Sequence, residues 1–297
     1  MSAASVSEPR SEYYESQRIR LHYAVWGDGD KPPLLLIHGG RDHCRNWDFV
    51  APRLAERYTI YAPDLRGHGD SDWAIGGMYS LPEFVLDVAT LANNLAAPLT
   101  LIGHSLGGAV ALQYAGTFPE RVSRVVAVEG WGPPVFAHQP AHGRMRQWID
   151  HMHEMERRQA RRYATIEHAT KRMMEENPHL TAEMARHLTE HGARRNEDGT
   201  LSWKFDNYVR IRSPYEFNLE DASNIWAQIR SPVLLVKGAE SWAADPDKDG
   251  RASDIRDHRT VTIQSAGHWV HHDQLERFMD EVLDFLVGER TSSRERQ

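Results

Sequence analysis

Short apolar runs and longer amphipathic runs alternate along the chain. LLLI at 34–37, YTIYA at 58–62, LTLIG at 99–103, RVVAVE at 124–129, PVLLVK at 232–237 and RTVTI at 259–263 are short, β-branched or leucine-rich, and read as strands. Two further runs, 12–16 and IRLHYAVW at 19–26, read as an antiparallel edge. Between them Leu81, Phe84, Val85, Val88, Leu91, Ala92 and Leu95 recur at helical spacing, as do Leu275, Phe278, Met279, Val282 and Leu286 near the end. Eight strands alternating with helices predict an α/β fold, a mainly parallel sheet wrapped by helices.

The alternation breaks once, between about Pro133 and Asn218, where Arg, His, Met and Glu dominate and no strand pattern is visible. RMRQWIDHMHEMERRQARRY at 144–163, HATKRMMEENP at 168–178 and LTAEMARHLTEHG at 180–192 read as three or four helices, broken at Pro178 and Gly192. An inserted helical cap over 134–217 is expected, splitting a core of 12–133 and 218–289, with flexible tails at 1–11 and 290–297. Within the cap, Met145, Trp148, Met152 and Met155 are expected to form core more than a substrate box. Some cap side chains must still roof the pocket.

Composition narrows the function classes. The chain has 297 residues, 40% of them hydrophobic, enough for one large domain or one domain with an insertion. A net charge of -7 offers no attraction to phosphate backbones and argues against nucleic acid as the main partner. Residues 1–12 lack the apolar stretch of a signal peptide, and no apolar run is long enough to span a membrane, so a cytoplasmic protein without membrane contact is expected. Cys44, the single cysteine, cannot form an intramolecular disulfide and has no zinc-ligand pattern around it. It reads as a small, partly buried residue. Nothing in the composition separates a monomer from a homodimer.

Candidate chemistry falls at strand ends. Gly103-His104-Ser105-Leu106-Gly107 follows LTLI and opens a helical segment, the context that a G-x-S-x-G nucleophile elbow requires. The turn would hold Ser105 in a cramped backbone geometry, with small residues at 103 and 107 letting the chain pass, and would aim the helix N-terminus at developing negative charge. His38-Gly39-Gly40 follows LLLI, where the N–H of Gly40 can join that of Leu106 to hold an oxyanion. Gly267-His268 arrives late, after RTVTIQSA. Serine, then acid, then histidine is the chain order of one hydrolase fold.

HGG at 38–40, PDLRGHGDS at 63–71, GHSLGG at 103–108 and AGHWVHHDQ at 266–274 together resemble the α/β-hydrolase fold superfamily, in order and spacing. NPHLTAEMARHLTEHG at 177–192 is similar to the cap of its serine hydrolase-like branch. The resemblance implies an eight-stranded core with an inserted cap and a cofactor-free, metal-free serine hydrolase, its nucleophile Ser105 and its base His268, acting on a carboxylic ester, lactone or related small acyl compound. The same scaffold runs carbon-carbon bond hydrolysis, thioester hydrolysis and perhydrolysis, and a small-molecule binding or signalling protein with slow or no hydrolysis is the alternative from another class.

The family most often takes its acid three or four residues beyond the glycine that ends the strand at 232–237, and those positions here are Ser241 and Trp242. Three carboxylates could substitute. Glu240 lies one residue early and Asp245 lies further along the loop. Glu129 ends the strand RVVAVE, and its spacing to Pro133 resembles the acid site of haloalkane dehalogenases, which makes it the leading candidate. Asp64, Arg66, His68 and Asp70 in PDLRGHGDS read as a structural loop. His187 and His191 stand at i and i+4 but lack an evident third ligand, and read as a solvated helix face. One of His271 and His272 is expected to support the site or touch the cap.

Overall fold

The structure is a computed structural model and describes residues 8–132, 140–215 and 218–288. Strands β1 (Arg10–Ser16) and β2 (Ile19–Trp26) form an antiparallel edge, with Arg10 opposite Val25 and Ser16 opposite Ile19. β3 (Pro33–Ile37) leads through a short helix α1 (Ala51–Leu54) to β4 (Thr59–Pro63), which pairs antiparallel with β2 and parallel with β3. Next come α2 (Leu81–Ala92), β5 (Leu99–His104), α3 (Leu106–Thr117) and β6 (Val122–Val128). After a long insertion the core resumes with α7 (Leu219–Trp226), β9 (Val233–Gly238), β10 (His258–Ile263), α8 (Val270–Asp273) and α9 (Leu275–Val287). The eight-stranded sheet runs β1-β2-β4-β3-β5-β6-β9-β10, parallel from β4 onward. All eight sequence-derived strands are in it.

The period-two alternation of the strands divides the core into two layers. Leu35, Ile37, Leu101, Val125 and Leu235 face α2, α3 and α7, where Val88, Val110 and Trp226 meet them. Leu34, Leu36, Ile102, Val126 and Val236 face the other way, against Leu54 of α1 and Phe278 and Val282 of α9. Central strands are therefore buried on both faces, which is why they read as continuous apolar runs. Each fully buried Leu or Val contributes roughly 1.5–3 kcal/mol.

Three differences from the sequence reading are structural. β1 begins at Arg10, inside the stretch expected to be a tail, because its whole length pairs with β2. The tail segments 1–7 and 290–297, and Pro133, lie outside the described residues.

The second difference lies in the insertion. It contains α4 (Ala141–Arg157), α5 (Ile166–Glu176) and α6 (Ala182–Gly192), with α5 stopping before Pro178 and α6 at Gly192 as expected. Thr165 and Thr181 cap α5 and α6 by accepting from His168 N and Met184 N. The insertion is not purely helical, however: β7 (Ala193–Arg195) and β8 (Leu201–Trp203) form an antiparallel hairpin around Gly199, whose φ is +81°. Strands of three residues are too short for an alternation to register in sequence.

The third is that α4 has no buried residue, so Met145, Trp148, Met152 and Met155 are not core. Their stripe is only half covered; Trp148 and Met152 line a cavity of about 20 Å³ with Met78, Tyr79, Tyr208 and Ile211. Among the described residues no helix is long and apolar enough to cross a membrane.

Candidate active site

The turn between β5 and α3 holds Ser105 at φ 51°, ψ -114°, a left-handed conformation that costs a non-glycine residue on the order of 1–3 kcal/mol. The surroundings enforce it. Ser105 N donates to Val128 O at 2.8 Å. A Cβ on Gly103 would lie 2.1 Å from the Gly107 carbonyl oxygen, and one on Gly107 would lie 2.1 Å from that of Ile37. Only hydrogen fits at either place. The Ser105 hydroxyl is half-buried and makes no hydrogen bond among the described residues.

Glu129 follows β6 and also takes a positive φ, 54°. Its N–H continues the sheet by donating to Val236 O at 3.0 Å, and the turn carries its side chain across the end of β9. There the buried carboxylate is fully engaged. Oε1 accepts from Gly238 N at 2.6 Å, and Oε2 accepts from the Ser241 hydroxyl and lies 3.2 Å from His268 Nδ1. The other two candidates go elsewhere: Asp245 pairs with Lys248 at 3.2 Å, and Glu240 lies 3.6 Å from His179 on the surface. Of the three carboxylates weighed, Glu129 is the one the fold brings to His268.

His268 sits on the loop between β10 and α8. Its carbonyl accepts from His104 Nε2 at 2.9 Å, and the preceding Gly267 N donates to Asp273 Oδ2 at 2.8 Å. Burial, and then His268 itself, hold His104 well below the ordinary imidazole range, so it is a neutral prop with its proton on Nε2. Trp242 lies against the His268 ring, centroids 4.7 Å and planes 29° apart, although the indole is 79% exposed. Sequence reasoning marked Ser241 only as a place where a carboxylate was missing and left Trp242 free to line the pocket. It gave no role to His104, although the residue stands beside the serine in GHSLG.

His38 ties the Gly39-Gly40 turn to the next loop: Nδ1 donates to Gly39 O at 2.6 Å and Nε2 accepts from Leu65 N at 3.0 Å. The loop PDLRGHGDS is structural, as read. Asp64 is buried and accepts from Cys44 N and Asp70 N, Arg66 forms a two-point pair with Asp87 at 2.6 Å, and His68 Nδ1 donates to Arg66 O. Asp70 reaches Lys204 of the insertion at 2.8 Å. His271 is buried and His272 half-buried; His271 Nε2 donates to Asn46 Oδ1 at 2.6 Å and its ring stacks on Trp47.

Two sequence readings are corrected here. His187 and His191 do not form a solvated face: α6 turns them toward the turn after β3, where His187 Nε2 lies 3.0 Å from the buried Asp48 and the two rings are 4.6 Å apart. Cys44 is fully rather than partly buried, and it has neighbours of ligand type, His22 and Asp64. In both cases the third group comes from a distant part of the chain, so local spacing carried no sign of it.

A strained serine at a strand-to-helix turn, with a histidine and a buried carboxylate at the same sheet edge, defines a class of fold and site. The family model described as the alpha/beta hydrolase fold matches residues 32–275, and the chain belongs to that family. A serine hydrolase-like protein of Danio rerio is 27% identical over 284 residues, covering 92% of this chain and 87% of that one. An esterase of Mycobacterium tuberculosis is 27% identical over 291 residues, covering 95% and 92%. Among solved structures, a thioesterase domain from the curacin biosynthetic pathway superposes with a TM-score of 0.80 at 25% identity, covering 93% of this chain and 99% of that one. The family and these neighbours support a hydrolase.

Proposed function

We propose that the chain is a serine hydrolase that cleaves a carboxylic ester, lactone or related small acyl compound through Ser105, His268 and Glu129. The observation that carries this reading is the 3.2 Å approach of Glu129 Oε2 to His268 Nδ1. A carboxylate there holds the proton on Nδ1, so that Nε2 carries the lone pair and can take the proton of Ser105 as its oxygen attacks the acyl carbon. His268 then protonates the leaving group, and water, deprotonated by the same nitrogen, releases the acid from the acyl-enzyme.

The acyl oxygen becomes negative in each tetrahedral intermediate, and the N–H groups of Gly40 and Leu106 are its donors in this reading. Leu106 opens α3, and first-turn N–H groups have no partner inside their helix. Each such donor lowers the barrier by about 3 kcal/mol in comparable sites. The insertion, described over 140–215, acts as the cap in this reading, with Trp148 and Met152 in its lining. No cofactor enters the mechanism.

A second reading, a small-molecule binder with slow or absent turnover, has one observation in its favour: the Ser105 hydroxyl makes no hydrogen bond to His268. Catalytic hydrogen bonds are often long before substrate arrives. A fluorophosphonate probe separates the readings. Rapid covalent labelling, mapped by mass spectrometry to Ser105, is expected; a folded protein that resists the probe and turns over no p-nitrophenyl ester would overturn the hydrolase reading.

A further inference from the structure

The chain's single cysteine lies among residues that local sequence spacing does not connect. His22 is in the middle of β2, Cys44 follows β3, and Asp64 follows β4, with Asp64 N donating to His22 O at 2.9 Å. His22 Nδ1 lies 2.7 Å from Asp64 Oδ2 and 3.9 Å from Cys44 Sγ, and one donor atom from each of the three residues lies within 4.8 Å of the others. All are buried, at 5%, 2% and 1% exposure for His22, Cys44 and Asp64. They border a cavity of about 110 Å³.

A second imidazole lines the same cavity. His43 is 5% exposed; its Nε2 donates to Leu188 O at 2.9 Å, which leaves Nδ1 as the lone-pair nitrogen, buried and without a hydrogen-bond partner among the described residues. A buried acceptor left unpaired is costly in a native protein and marks a place where something binds.

We propose that His22, Cys44 and Asp64 form a binding site for a divalent transition metal ion of the zinc or cadmium type, with water completing its coordination. A thiolate, a neutral imidazole and a carboxylate, with water in the fourth position, suit a four-coordinate ion of this softness. The thiolate and carboxylate together cancel its two positive charges. Binding expels the thiol proton of Cys44 to solvent, while the His22 proton moves from Nδ1 to Nε2, 2.7 Å from the Ser11 hydroxyl oxygen, and leaves Nδ1 to take the ion; because one proton is released, affinity rises with pH. The His22–Asp64 spacing is a hydrogen-bond length, and two ligands about 2.0 Å from a tetrahedral ion stand about 3.3 Å apart, so the His22 ring must turn slightly to admit the metal.

The other group of this kind, Asp48 with His187 and His191, suits a cation less well: the Arg45 guanidinium already spans both Asp48 oxygens at 2.8 Å. Occupancy of the cysteine site would also reach the strand ends. Asp64 anchors Cys44 N, and the adjacent Leu65 N holds His38, so drawing these groups around an ion shifts the segment that carries Gly40. The site stands independently of any hydrolytic activity.

Cadmium titration of the full chain, followed by the ultraviolet thiolate-to-metal charge-transfer band, tests it. Because there is one cysteine, such a band reports Cys44 alone. One Cd²⁺ per chain is expected, with a band that Cys44→Ser removes, and a zinc-induced rise in Tm that Cys44→Ser also removes. His22→Ala should weaken binding by at least the roughly tenfold that loss of even an outer partner costs a metal site. A wild-type protein, folded by circular dichroism, that gives no band at saturating cadmium would overturn the proposal. So would zinc affinity that survives Cys44→Ser and disappears in His187→Ala, which assigns the ion to the other group.

Discussion

Ser241 donates its hydroxyl proton to Glu129, on the same carboxylate oxygen that faces His268. The loop after β9, where the sequence offers a serine in place of an acid, thus fixes an acid delivered from β6. Position 241 keeps contact with the carboxylate, and Ala243 N in turn donates to the Ser241 oxygen at 3.1 Å.

If Glu129 orients His268, Glu129→Gln keeps the shape and loses the charge that stabilises the imidazolium. kcat is expected to fall by several powers of ten, about 10⁴-fold in a comparable triad. Asp245→Asn should change kcat little, because Asp245 is engaged with Lys248. Steady-state kinetics on a p-nitrophenyl ester reads both. The reverse pattern returns the acid to the loop after β9.

Ser105, the proposed nucleophile, sits at an unfavourable φ of 51°. Ser105→Ala and Ser105→Gly are both expected to abolish ester turnover, but the glycine variant relieves strain on the order of 1–3 kcal/mol. Part of that gain is offset because glycine is the more flexible residue when unfolded. Urea unfolding should therefore find Ser105→Gly at least as stable as Ser105→Ala. Near-wild-type turnover in either variant would remove the nucleophile assignment.

Acid should unfold this protein through its buried histidines. Burial lowers His38 and His43 to about 4 and His68 and His272 to about 3, against 6.5 for an unperturbed imidazole. Between these values the unfolded chain binds more protons than the folded one, so their contribution is complete above pH 6.5 and is lost as pH falls toward 4. Asp42, raised to about 8 by burial, and Asp273, also raised by burial, act with the opposite sign, but they are two groups against four. The urea midpoint is expected to drop from pH 7 to pH 5; a level or rising midpoint would contradict this.

Trp148 stands half-covered on α4, beside Met152 and over Tyr79 and Ile211. If this stripe roofs the substrate path, Trp148→Ala changes the ratio of kcat/KM between short and long acyl chains. Equal losses for every chain length in the ester series would mean that the indole only supports the insertion.

What the sequence determined by itself is what near neighbours in the chain determine. Apolar runs located the central strands β3, β5 and β9, because a strand buried on both faces admits little but apolar residues, whereas the exposed edge strand β1 carries a polar sequence. The elbow was legible at Gly103, Ser105 and Gly107, because so tight a turn admits only glycine at its close approaches. Glu129 was legible as a candidate because it ends a recognisable strand. The tertiary structure decided which of three carboxylates reaches His268, since that depends on a positive φ at 129 and on how the loop after β9 folds back. It also decided that the stripe on α4 stays half-exposed: periodicity marks a face that seeks cover, and only packing supplies it. Cys44 met His22 and Asp64, and His187 met Asp48, through the side-by-side placement of β2, β3 and β4 and the docking of α6 on the turn that follows β3. Such meetings depend on contacts between distant segments, which no local pattern of residues encodes.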